Sequence, residues 1–202
     1  MNFFNASSLR RLSGLAFCLL TGPFLFPLTM GAGGAHALID DFSDAEHTAA
    51  GAVRPVITDK DIGGQSQATA SCADGIFAVE GTLVPARGMP AFVSVPLLLS
   101  SEAQPQDLSA YEGVRLLVKV KKGLLSVQVS STEITNFDFH TCAPITRRPE
   151  TFQEIRIPFS AMKRAWSEQT PLNLRAITSI NLVAAGMAPD VFAYEVDEIG
   201  FY

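Results

Sequence analysis

Between Val114 and Ser130 the chain places apolar residues at every second position. Val114, Leu116, Val118 and Val120 alternate with Arg115, Lys119 and Lys121, and beyond Lys122-Gly123 the residues Leu125, Val127 and Val129 alternate with Ser126, Gln128 and Ser130. A period of two puts successive side chains on opposite faces of a strand, so one face must be buried while the other stays wet. No helix satisfies that spacing. Two such stretches joined by Lys122-Gly123 predict a β-hairpin.

The same alternation predicts strands over 39–42, 76–84, 91–98, 152–157, 177–184 and 191–202. Pro96 inside the third of these has no N–H to give to a ladder, which points to an edge position or a bulge. Helix is nearly absent: Ser160 is a good N-cap for one short segment over 161–166. About eight strands with turn signals between them define an all-β fold, a two-sheet antiparallel β-sandwich of the jelly-roll kind with one short helix. The stretch 130–151, with Pro144, Pro149 and Arg147-Arg148, reads as an exposed loop apart from the short alternating piece at 136–140.

Residues 1–37 contain no Asp or Glu. They carry Arg10-Arg11 before an apolar run and end in Ala35-His36-Ala37. This is the layout of a secretory signal peptide, cut after Ala37 to leave a single domain over 38–202. Pro23 and Pro27 interrupt the run, which falls short of the roughly 20 apolar residues a spanning helix needs. The chain is therefore expected to be exported, to a periplasmic or secreted location. Taking Arg10 and Arg11 from 15 cations leaves 13 against 20 carboxylates, a formal charge of −7 (13 − 20), and no basic cluster able to neutralise a phosphate backbone. Nucleic acid is not an expected partner. Cys72 and Cys142 are the thiols that remain, and in an oxidising compartment a disulfide between them is expected.

The segment "DIGGQSQATASC" opens with a doubled glycine. Gly63-Gly64 permits a positive φ or a close backbone approach where a strand begins, and a bulge that merely turns the chain is preferred to a binding site as its explanation, because a bulge is needed whether or not anything binds. Six segments, "LIDDFSD", "TDKDIGGQSQAT", "PAFVSV", "DLSAYEGVRLLVKV", "FQEIRIPFSAM" and "FAYEVDEIGFY", lie in an order that resembles the complex I intermediate-associated protein family. That family has a galactose-binding-like jelly roll akin to some carbohydrate-binding modules. Ile62 stands where the family often has methionine, and Phe152 where tryptophan is usual; both keep apolar bulk.

The resemblance implies a binding module with a protein partner or a role in complex assembly, and alternatively a carbohydrate-binding module. On the second reading Asp61, Gln65, Ser66, Asn136, Asp138 and His140 line a concave sheet face and meet sugar hydroxyls, with Phe137, Phe139 or Tyr111 as a stacking platform. Alternation sets Asn136, Asp138 and His140 on one side and Phe137 and Phe139 on the other. The phenylalanines are expected in the core and the polar trio outside. Terminal strands pair in galactose-binding-like folds, which would bring Asp40-Asp41 near Asp197-Glu198, where a structural calcium can be held, with Asp40 and Asp197 as ligands. No other cofactor is implied. His47 and His140 lie in no nucleophile-elbow or metal-hydrolase motif, so the chain is read as a monomeric, non-enzymatic protein.

Overall fold

The computed structural model describes residues 37–202, which form one compact unit. The expected signal peptide lies outside the described residues, save Ala37. Eleven strands form two antiparallel sheets: β1 (Leu38–Asp40), β2 (Ile57–Thr58), β3 (Gln67–Ala73), β4 (Ile76–Leu83), β5 (Ala91–Leu98), β6 (Gly113–Lys122), β7 (Ser126–Ser131), β8 (His140–Thr141), β9 (Gln153–Pro158), β10 (Ile177–Gly186) and β11 (Asp190–Phe201). The first sheet runs β3-β4-β11-β6-β9, and β1 pairs with β11 beyond the reach of β4; the second runs β2-β5-β10-β7-β8.

The alternating residues face a single core between the sheets. Val114, Leu116, Val118 and Val120 from one layer and Leu125, Val127 and Val129 from the other are all at most 2 % exposed. Pro96 pairs with Asn181 of β10 on one side, while β2 covers β5 only opposite Val93 and Ser94. Its missing N–H therefore falls on an open stretch of edge, as a strand proline requires.

The hairpin expected across Lys122-Gly123 does not form. Both edges of β6 are taken, by β11 and β9, and the chain crosses at Gly123 to the opposite sheet, where β7 pairs with β10 and β8. Gly123 has φ +66°, and an added Cβ would sit 2.7 Å from the Val191 carbonyl oxygen. The alternation reports which face of each stretch is buried, and both sheets bury the same face against the same core. The short helix is also reduced, to a single 3-10 turn at Phe159–Ala161. Beyond it Lys163 joins Thr141 in a β-bridge, and the next backbone donors go to a carboxylate on another loop.

No disulfide joins Cys72 and Cys142, which are free thiols. Cys72 lies on β3, at one edge of the first sheet. Cys142 follows β8 and adjoins Ile155 and Ile157 of β9, at the other edge. Four strand spacings of about 4.8 Å separate β3 from β9, whereas bridged Cα atoms lie within about 7 Å. Cys72 Sγ instead donates to the Phe42 carbonyl (3.1 Å), and Cys142 Sγ accepts from Val127 N–H (3.2 Å). Burial holds both thiols above their ordinary value.

Candidate functional site

The expected polar site divides into two groups at opposite ends of the sandwich. Asp61, Gln65 and Ser66 stand before β3, where β4 ends and β5 begins. Asn136, Asp138 and His140 stand in and after the β7–β8 loop, at the other end and the other edge. They do not converge.

In the first group the organising residue is Asp59, which the sequence reading passed over. Its carboxylate is 1 % exposed and accepts the N–H (3.0 Å) and hydroxyl (2.6 Å) of Ser66 and the N–H of Phe92 (3.1 Å). Ser66 Oγ in turn accepts from Val84 N–H at 2.9 Å, so its hydroxyl is used within the fold. Gly63, at φ +84°, ends the 3-10 turn Asp59–Ile62, and Gly64 packs directly on the carboxylate, where a Cβ would fall 2.1 Å from Asp59 Cγ. The doubled glycine turns the chain around a buried acid. Asp61 and Gln65 stay exposed.

In the second group the expected orientation is reversed for Asp138, His140 and Phe137, while Asn136 is exposed as expected and Phe139 is half-buried. Asp138 and His140 are 2 % and 1 % exposed, while Phe137 is 80 % exposed. Two backbone events cause this. Asn136 Oδ1 accepts Asp138 N–H (3.3 Å) in a local turn, and Phe137 adopts φ +60°, a left-handed conformation that costs a non-glycine residue about 1–3 kcal/mol and persists only when its surroundings hold it.

Asp138 supplies the hold. Oδ1 accepts the N–H groups of Ala165 (2.8 Å) and Trp166 (3.1 Å), and Oδ2 accepts the Ser167 hydroxyl (2.5 Å). Burial alone would raise its pKa, but the Ser167 hydroxyl and the two N–H groups outweigh it and hold the carboxyl below the usual value. His140 faces inward beside Val129 of β7; its Nε2 donates to the Thr170 carbonyl at 2.9 Å, and its Nδ1 has no hydrogen-bond partner among the described residues. The β7–β8 loop and the segment from Lys163 to Thr170 are thereby locked together.

The outcome is an aromatic pair in solvent. Phe137 and Trp166, 80 % and 74 % exposed, are the most exposed large hydrophobic residues among those described. One carboxylate fixes the backbone of both, being next in sequence to Phe137 and bonded to Trp166 N–H. Phe139 meets Phe137 edge-on at 6.4 Å. Trp166 was hidden from sequence reading by its assignment to a helix. Tyr111 lies elsewhere, against Phe201 (5.2 Å), lining a hollow of ≈ 290 Å³. That is at the lower limit for a small-molecule pocket, roughly 300 Å³.

The two sheets present different outer faces. On the first, Glu195 pairs with Lys119 and Lys121, and Arg115 pairs with Glu154 and Glu198. On the second, Ser94, Ser126, Gln128, Ser130 and Thr141 are half-buried at outward positions of β5, β7 and β8 with no charge among them, and Ser179 and Asn181 of β10 lie buried between them. Asn181 Nδ2 donates to Ser130 Oγ, and Ser179 Oγ donates to Asn181 Oδ1, both at 2.8 Å.

The terminal strands do pair, β1 with β11. Asp40, however, is ion-paired with Arg54 (2.9 Å) and accepts Phe42 N–H (2.9 Å), while Glu198 is paired with Arg115. Desolvation raises Asp40 in spite of Arg54. Among the described residues no group of three or more His, Cys, Asp or Glu is placed to hold a metal ion. Nor do Ser167, His140 and Asp138 form a nucleophile and base, because the serine gives its proton to the aspartate and the imidazole bonds a carbonyl.

These elements define an antiparallel jelly roll of the galactose-binding-like kind. Three solved structures share the fold: the family 11 carbohydrate-binding module of the cellulosomal cellulase Lic26A-Cel5E of Clostridium thermocellum (TM-score 0.58, 17% identity, 83% of this chain and 94% of that one), a family 11 module from the same organism in complex with a β-1,3-1,4-mixed-linked tetrasaccharide (0.58, 17%, 82% and 94%), and CtCBM11 in solution (0.55, 16%, 85% and 97%). Residues 41–196 match the family described as Complex I intermediate-associated protein 30 (CIA30), and the chain belongs to it. None of the curated proteins matches the chain.

Proposed function

We propose that the chain is a non-enzymatic binding module that holds a protein partner through Phe137 and Trp166. The observation that carries this reading is the exposure of two large aromatic side chains on loops fixed by one buried carboxylate. Aromatic anchors of this size dominate protein interfaces when their backbone is already ordered. Membership in a family described by its association with a complex I intermediate supports a protein partner. The signal-like layout of residues 1–37 supports an exported setting, so the partner is sought in the cell envelope.

A photo-crosslinking amino acid at position 137 or 166 tests the proposal, with Glu80 on the outer face of the first sheet as reference. A discrete protein adduct at 137 and 166, absent at 80 and lost with Asp138→Asn, is the expected result. Adducts spread equally over all three positions would sink it.

A second reading rests on a separate surface. The uncharged amides and hydroxyls of the second sheet suit sugar hydroxyls, and one neighbour in fold is a module bound to a mixed-linked tetrasaccharide. Pull-down with mixed-linked β-glucan separates the two: retention weakened by Gln128→Ala and indifferent to Trp166→Ala supports the glycan.

A further inference from the structure

The end of the sandwich opposite the aromatic pair carries exposed aliphatic tips on adjoining loops. Met187 in the β10–β11 turn is 70 % exposed, Met89 before β5 44 %, Leu124 in the β6–β7 crossing 45 % and Val191 49 %. The loops touch: a Cβ on Gly186 would lie 3.8 Å from Leu83 Cδ1, and one on Gly123 2.7 Å from the Val191 oxygen.

Around these tips the charge is positive. Arg87 is exposed beside Met89, and Lys122 beside Leu124. Arg147 Nε donates to the Lys121 carbonyl (2.9 Å) and Arg148 N–H to the Val120 carbonyl (2.9 Å), so both arginines are fastened to the same crossing. Asp61, Glu80, Glu150 and Asp190 are the exposed carboxylates of this end, and with Lys60 beside Asp61 the five exposed cations outnumber them. The other end is acidic, with Asp41, Asp44, Glu46, Glu102, Asp107 and Glu133 exposed on its loops. On a chain of net negative charge this separation of sign is a dipole, and it turns the Met187 end toward an anionic surface.

We propose that this end docks peripherally on an anionic lipid bilayer, with Met187, Met89 and Leu124 entering the headgroup–acyl boundary and Arg87, Lys122, Arg147 and Arg148 meeting lipid phosphates. Aliphatic tips ringed by arginine and lysine match a surface that is apolar below and negative above. A protein interface tends instead to deplete charge at its centre. No helix of the described residues is long and apolar enough to span a bilayer. The aromatic pair then faces away from the membrane and stays free for a partner.

The test is co-sedimentation of the chain from Leu38 onward, which holds every strand and the core of the described residues, with vesicles of phosphatidylcholine alone or mixed with phosphatidylserine. Binding is expected only to the mixed vesicles, weakening as salt is added. Met187→Asp with Leu124→Asp, and separately Arg87→Glu with Arg148→Glu, are expected to weaken it at least tenfold, and Asp107→Lys at the other end is not. An unchanged far-ultraviolet β-sheet signal and thermal unfolding transition verify folding; should the first pair unfold the chain, the second still decides. Failure to bind the mixed vesicles, equal binding to neutral ones, or variants that bind like wild type would overturn the proposal. So would variants that lose crosslinks to a protein while the vesicles never bind.

Discussion

Asp138 converts backbone strain into a displayed side chain. Its three accepted hydrogen bonds keep Phe137 at positive φ and tie down the segment that carries Trp166. Since its folded-state pKa is depressed, its contribution to stability is complete above the unfolded value of about 3.9 and is lost as pH falls through the folded value. Trp166 is the single tryptophan, so its fluorescence anisotropy should drop in that acidic window while the far-ultraviolet β-sheet signal persists; Asp138→Asn should show the same loosening at neutral pH. Retention of full anisotropy in the variant would refute this role. At Gly64 the added methyl of Gly64→Ala would displace the Asp59 carboxylate from Ser66 and Phe92. A loss of about 2–3 kcal/mol in urea unfolding is expected.

Among the elements, β1 is the most dependent on a single contact. It is three residues long, and Asp40 at its end meets Arg54, whose guanidinium also lies over the rings of Phe42 (5.2 Å) and Phe77 (5.5 Å) and donates to the backbone carbonyls of Asp44 and His47. Removing one partner of a buried ion pair leaves the other uncompensated, so Arg54→Met should cost about 3–5 kcal/mol. Hydrogen exchange would locate the loss in Leu38–Asp40 and the following loop; uniform protection across the sandwich would contradict it. Strand existence was legible because alternation is local: β5 appears over the predicted residues, and β4, β9, β10 and β11 within two residues of prediction. Pairing was not legible at Lys122-Gly123, because a face pattern does not name the neighbouring strand. The β7–β8 loop misled for a related reason. Alternation sorts residues into two sides, but which side is buried was decided by Ala165, Trp166 and Ser167, some thirty positions away, whose donors made burial of Asp138 affordable. Asp59 escaped notice because its partners Ser66 and Phe92 meet it only in the folded chain.

For the whole molecule, free thiols at opposite edges mean that oxidation state should not govern stability. Thermal unfolding is expected at the same temperature with and without reductant, with Cys142 unreactive toward a thiol reagent until the protein unfolds; a lower transition under reducing conditions would reveal a cross-link. The two ends differ in charge and in the kind of apolar group they expose, which makes the module bipolar, with one proposed contact at each end.

The position of β11 has a consequence for biogenesis. It lies in the first sheet between β4 and β6 and also receives β1, so that layer lacks its middle until Asp190–Phe201 is available. During synthesis the first sheet would stay unassembled until translation has passed that strand, and it would then fold slowly through distant pairings. Without β11, β1 loses its partner and β4 is parted from β6 in that layer, so removing this one strand would be equivalent to removing the fold.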